Sequence, residues 1–302
     1  MADGAGSDRV RGPGVYDVPG AYDVRGPGVY DVRGLGLDHV RAFVFDVDGT
    51  LAHRGPDGRA QPQPGAVEVL ERIRASGRKL ALFTNGSHVR SETMARALRE
   101  DGLPISDDEM LTPVDSAITY IRRRHRDRPA LLFASDVVRA WMVDAGIPEA
   151  KGEEAEVVFV AHVDEADMAA MERAARAVER GAPLLTGSWA RGYAGANGII
   201  FSRGAMVTAA IAKVTATRPR IVGKPSRAAV DEIRTRLGIP TEEIAVIGDD
   251  AGMDIALGRM GGSKTVLVRS GISGQIDLDK LPERHRPHAV IDRVADLLEV
   301  LN

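Results

Sequence analysis

Residues 43–51, Phe43-Val44-Phe45-Asp46-Val47-Asp48-Gly49-Thr50-Leu51, put two carboxylates one residue apart where an apolar run meets a glycine. The run, residues 40–47, has the length and composition of a buried strand. Strand side chains alternate faces, so Asp46 and Asp48 reach one pocket only if the chain turns sharply at Gly49. Two close carboxylates repel unless a cation or a shared proton offsets their charge. The segment predicts a magnesium site or an acid/base pair at the C-terminal end of a strand. A strand that merely ends in an Asp- and Gly-rich turn is the plainer alternative.

Beyond this strand, apolar runs alternate with amphipathic ones. A helix is expected over residues 65–76, with Pro64 ahead of it and Gly77 behind it. A strand over 79–84 and a helix over 87–100 follow. Further along come a strand at 221–222, a helix over 226–237, and strands at 244–247 and 265–268. This order implies right-handed crossovers and a doubly wound parallel sheet, in which ligands bind outside the carboxyl ends of the strands. Three of those ends are polar: Asp46-Val47-Asp48, Thr84-Asn85-Gly86-Ser87 and Gly248-Asp249-Asp250. A fourth polar element, Gly223-Lys224-Pro225-Ser226, precedes a helix.

A second series of strands (131–134, 157–160, 184–186) and helices (137–145, 165–179, 205–213) lies between the second and third of these elements in chain order. It is long enough for a small α/β domain inserted above the site as a cap. The expected division is a core of residues 38–114 and 214–302, a cap of 115–213, and a tail of 1–37. The tail holds nine of the 33 glycines and a degenerate Tyr-Asp-Val repeat. That composition predicts disorder, with a partner-binding repeat as the sharper alternative.

The four polar elements resemble the motifs of the haloacid dehalogenase-like (HAD) phosphatases: Asp46-x-Asp48-Gly49-Thr50, Thr84, Lys224, and Gly248-Asp249 with Asp254. The cap position, Pro64-Gly65-Ala66, Thr84-Asn85, Val222-Gly223-Lys224-Pro225-Ser226, and Lys264-Thr265-Val266-Leu267-Val268 leading to Gly271 resemble the NagD-like branch. That branch includes p-nitrophenyl and phosphoglycolate phosphatases. The resemblance implies a Rossmannoid core under an α/β cap and Mg2+-dependent hydrolysis of small phosphorylated metabolites. Asp46 is then the nucleophile that forms an aspartyl-phosphate, and Asp48 the acid and base. Mg2+ would be held by the Asp46 and Asp249 carboxylates and the Asp48 carbonyl. Thr84 and the Asn85 amide would bind the phosphoryl group, Lys224 would neutralise it, and Asp254 would hold Lys224 or a metal-bound water. Gly49, Thr50 and Asp250 complete the support, and caps of this branch often form homodimers.

Each residue has a duller reading: Thr84 as a helix cap, Lys224 as an exposed loop lysine, Asp249 and Asp250 as caps of the following helix. At function level the alternatives are a phosphometabolite-binding scaffold with little turnover, and a phosphomutase. The chain departs from the branch at Thr186-Gly187-Ser188-Trp189, where a Thr-Asn-x-Asp turn is usual, and at Met253, where Thr is frequent. Trp189, Arg191 and Tyr193 are candidate specificity residues in that stretch. Trp189 and Tyr193 packing the cap core is the competing expectation.

A net charge of −3 gives no global case for nucleic acid. The basic cluster Arg122-Arg123-Arg124-His125-Arg126 suits the end of a helix. The chain has no cysteine, which excludes disulfides and thiolate metal sites. It has no apolar stretch of membrane-spanning length and no secretory layout at its start, so a cytoplasmic protein is expected.

Overall fold

The computed structural model describes residues 31–195 and 198–301. The strand Ala42–Phe45 lies inside a six-stranded parallel sheet. On one side it pairs with Ile244–Gly248, which is followed by Lys264–Val268 and Ala289–Ile291. On the other side lie Lys79–Phe83 and then Met110–Leu111. Alternation decides what covers each face. Phe43 and Phe45 pack with Val69, Leu70 and Ile73 of helix Ala66–Ala75 and with Met94 and Leu98 of helix Ser91–Glu100. Ala42 and Val44 pack on the opposite face with Val230, Ile233 and Leu237 of helix Arg227–Leu237. Apolar burial on both faces is what makes the strand read as a continuous apolar run.

A second sheet is also parallel, in the order Arg220–Ile221, Leu184–Thr186, Val157–Val160, Ala130–Phe133. Helices Pro113–Arg124 and Asp136–Asp144 cover one face of it, and Met168–Glu179 and Arg203–Val214 the other. Its edge strand Arg220–Ile221 lies beyond the expected cap limit at residue 213. The chain returning toward the core adds this last strand to the cap sheet before it turns at Gly223.

The chain is also folded earlier than a tail ending at residue 37 would allow. Val32, Leu35 and Leu37 are buried in the main core, and Arg33 bonds Glu299 at 2.8 Å. Val32 is the last residue of the third Tyr-Asp-Val copy, and the two earlier copies lie outside the described residues. The helix expected from residue 87 begins at Ser91. Residues 87–88 are tied to the second sheet instead: His162 N–H donates to Ser87 Oγ at 3.0 Å, and Ser135 Oγ donates to the His88 carbonyl at 2.9 Å. Two hairpins, Ala52–Arg54 with Ala60–Pro62 and Gly192–Gly195 with Gly198–Phe201, carry no strong periodic signal and were not expected. Among the described residues no helix is long and apolar enough to cross a membrane.

Candidate active site

Register gathers the site. Phe45 pairs with Ile247 on one side and Leu82 on the other, so the residues that follow leave the sheet at one edge. Asp46, Thr84 and Asp249 therefore emerge side by side. Lys224 comes from the loop before helix Arg227–Leu237, and its Nζ lies 2.5 Å from Asp46 Oδ1 and 2.6 Å from Asp254 Oδ1. Carboxylate oxygens of Asp46, Asp249 and Asp254 lie within 4.8 Å of one another. Lys224 is buried, which disposes of the exposed-lysine reading.

Glycines make this closeness possible. A Cβ on Gly271 would sit 1.8 Å from Asp249 Oδ2, one on Gly49 2.4 Å from it, and one on Gly248 2.3 Å from the Asp254 carboxyl. Gly49 also has φ 89°, the left-handed region that a side chain disfavours. Ile272 N–H donates to Asp249 Oδ2 at 2.7 Å and fixes that carboxylate from the loop after Lys264–Val268. Asp250 does cap the turn Ala251–Ile255, accepting from Gly252 and Met253 N–H, whereas Asp249 does not. Asp254 Oδ2 accepts from Asp250 N–H at 3.1 Å, so Asp254 is held at both oxygens.

Thr84 is buried and caps no helix; its Oγ1 accepts from Gly86 N–H at 3.2 Å. The Asn85 side chain ties two loops together, accepting from Lys224 N–H at 3.2 Å and donating to Met253 Sδ at 2.8 Å. Met253 thus supports Asn85 through its sulfur. Thr50 is fully buried, and its Oγ1 has no hydrogen-bond partner among the described residues.

Asp48 stands apart. Both acids were expected to reach one pocket, but Arg54 Nε donates to Asp48 Oδ1 at 2.7 Å and both side chains are about half exposed. The turn at Gly49 carries the chain straight into the hairpin, with Gly49 N–H bonded to the Ala52 carbonyl at 2.8 Å. The Asp48 side chain follows that hairpin, while Asp46 faces Lys224. Arg54 has only a faint sequence signal, a guanidinium six residues after an acid on a short strand.

Trp189 is 44 % exposed, so it does not pack the cap core. The Arg191 guanidinium lies 5.5 Å over the Phe201 ring. Tyr193 pairs with Ile200 in the hairpin, and its side chain lies outside what is described. His53 contacts Gln63.

Charge is unbalanced in the cluster: three carboxylates face one ammonium. Burial pushes the Asp46 carboxyl well up, opposed by Lys224 and aided by Asp254 and Asp249. Burial, then Asp254, pushes Asp249 up to about 7. Burial alone would lower Lys224, but Asp254 and Asp46 outweigh it and raise it above the ordinary lysine range. A buried site with excess negative charge and all-oxygen donors fits a hard divalent cation such as Mg2+.

Residues 43–148 match the family described as haloacid dehalogenase-like hydrolase, and residues 221–297 match a HAD-hydrolase-like family. The ribonucleotide monophosphatase NagD of Escherichia coli K12 is 26 % identical over 261 residues, covering 85 % of this chain and 98 % of that one. A phospholysine phosphohistidine inorganic pyrophosphate phosphatase of Xenopus laevis is 29 % identical over 235 residues, covering 77 % and 84 %. The structure of a p-nitrophenyl phosphatase from Archaeoglobus fulgidus superposes with a TM-score of 0.77 at 26 % identity, covering 86 % of this chain and 99 % of that one.

Proposed function

Because the chain belongs to the haloacid dehalogenase-like hydrolases, in their NagD-like branch, we propose that it hydrolyses small phosphate monoesters in a Mg2+-dependent reaction through an aspartyl-phosphate. The observation that carries this reading is the Lys224 ammonium between Asp46 and Asp254 at the shared edge of three strands. It sets a cation beside the carboxylate that, in this reading, attacks phosphorus.

A carboxylate oxygen of Asp46 attacks phosphorus, and the bond from phosphorus to the ester oxygen breaks. Asp48 gives its proton to that departing oxygen, releasing an alcohol. A water then attacks the phosphoryl group and loses a proton to Asp48, and the bond to Asp46 breaks to free phosphate. Lys224 offsets charge on the phosphoryl oxygens, and Thr84 with the Asn85 amide orients them. Asp46 and Asp249, with the Asp48 carbonyl, would hold Mg2+, which when bound supplies further positive charge at the transferred group.

The named relatives act on unlike phosphate compounds, and the Thr186–Trp189 stretch departs from the branch, so the substrate class stays at small phosphate monoesters. The test is phosphate release from p-nitrophenyl phosphate with Mg2+. Asp46→Asn is expected to abolish it with the fold intact, and retained turnover defeats the mechanism. Asp48→Asn is expected to lower kcat by about 10²–10⁴-fold, the usual worth of a positioned acid.

A further inference from the structure

We infer that Arg54 is a positioning and specificity residue: it latches the Asp48 carboxyl, and a carboxylate on the substrate's leaving group draws it off. This rests on the phosphatase reading above and names the class of ester that the site prefers.

Arg54 ends the strand Ala52–Arg54, which springs directly from the Asp48–Gly49 turn through the Asp48–Ala52 bridge. Its Nε holds Asp48 Oδ1 at 2.7 Å, and its Nη1 reaches the Gly58 carbonyl at 3.4 Å. Nη2 donates to no group among the described residues. While Nε is engaged, the carboxyl that must serve the leaving oxygen is held by the hairpin.

The two cations divide the substrate between them. Lys224 is buried against Asp46 and Asp254, on the side of the transferred phosphoryl group. Arg54 sits beside the acid, and therefore on the side of the leaving group.

The latch is built to be exchanged. Both partners are about half exposed, 43 % and 48 %, and such pairs are weak in water. A guanidinium takes a carboxylate on two parallel N–H donors, so a substrate carboxylate can use Nε and Nη2 together where Asp48 engages Nε alone. The incoming carboxylate must lie within a few bonds of the ester oxygen, because Arg54 touches the acid that serves that oxygen. An ester with an uncharged leaving group leaves Arg54 on Asp48. One with a nearby carboxylate takes Arg54 and frees Asp48 to turn inward.

A matched pair tests this: 2-phosphoglycerate carries a carboxylate where glycerol 2-phosphate carries a hydroxymethyl group. Binding is measured by titration calorimetry with Mg2+ in the Asp46→Asn background, alone and combined with Arg54→Gln or Arg54→Lys. Asp46→Asn is expected to favour 2-phosphoglycerate about five- to tenfold, the scale of one exchanged charge-assisted contact. Arg54→Gln is expected to erase that preference and Arg54→Lys to keep part of it. In the otherwise unaltered enzyme, Arg54→Gln should lower kcat/KM for 2-phosphoglycerate and raise it for glycerol 2-phosphate. An affinity ratio that is the same with and without the guanidinium, or a loss that is equal for both esters, overturns the assignment. Phosphate release by the unaltered protein is read separately. Arg54-dependent binding of the carboxylated ester with no release would remove the hydrolase reading and leave the Arg54 assignment standing.

Discussion

Gly271→Ala adds one methyl group to a loop, yet it should disable the site. The new Cβ would lie 1.8 Å from Asp249 Oδ2, 2.4 Å from its Cγ and 2.5 Å from its Cβ. Ordinary contact requires about 3.5 Å, so the carboxylate must retreat by roughly 1.5 Å. It cannot retreat freely. Ile272 N–H holds Oδ2 at 2.7 Å, and Ser273 N–H holds the Asp249 carbonyl at 3.1 Å. A displacement of about 1 Å in a positioned group costs on the order of 10²-fold in rate. The expected outcome is a fall of about two orders of magnitude in kcat/KM, with more Mg2+ needed for half-maximal activity. Phosphate release across a Mg2+ titration reads both, and thermal unfolding reports the fold. Gly34→Ala is the control, since a Cβ there meets nothing within 4 Å. Asp249→Ala removes two of the three atoms met, so adding it to Gly271→Ala should recover part of any lost stability. A Gly271→Ala protein with unaltered kcat/KM and Mg2+ dependence would refute the reasoning.

Stripping divalent metal should expose the charge imbalance. The folded pKa of Asp249, about 7, lies above its ordinary 3.8, so the folded state holds the extra proton between those values. Its contribution to stability is complete below about pH 4 and lost as pH rises through about 7, on the order of a few kcal/mol. Denaturant unfolding in chelator should show that decline, Mg2+ should reverse it at pH 8, and Asp249→Asn should flatten it; equal slopes in the two proteins would contradict it. Thr112 caps helix Pro113–Arg124 by accepting from Val114 N–H and also donates to Asp115 Oδ2 at 2.8 Å, so Thr112→Ala should cost about 1–2 kcal/mol by denaturant unfolding. Relative to removal of residues 1–30, removal of 1–37 also strips Val32, Leu35 and Leu37 from the core and should cost about 2–4 kcal/mol more; equal midpoints for the two truncations would show that those side chains contribute nothing.

Most of the site was legible in the sequence because its parts are local. Asp46, Thr84 and Asp249 each follow a short apolar run, and parallel strands place such residues at one edge whatever the loops do. Lys224 and Asp254 were named with them and do meet, the ammonium bridging Asp46 and Asp254. The helices over Ala66–Ala75 and Arg227–Leu237 were legible for the same reason: their apolar spacing and end residues are properties of the segment itself. The Ser91 helix start was not, because residues 87–88 bond across to the second sheet, and no local preference encodes that.

The sequence by itself therefore determined the sheet, the insertion and which polar residues stand at the strand ends, since alternating hydrophobicity and strand-end position are read one segment at a time. Only the tertiary structure decided that Asp254 joins Asp46 and Asp249 in the acidic cluster, while Asp48 turns to Arg54. Packing at Gly248, Gly49 and Gly271 sets how closely those carboxylates approach one another, and the hairpin path sets where Asp48 points. Both depend on distances between segments far apart in the chain, which no spacing within one segment specifies.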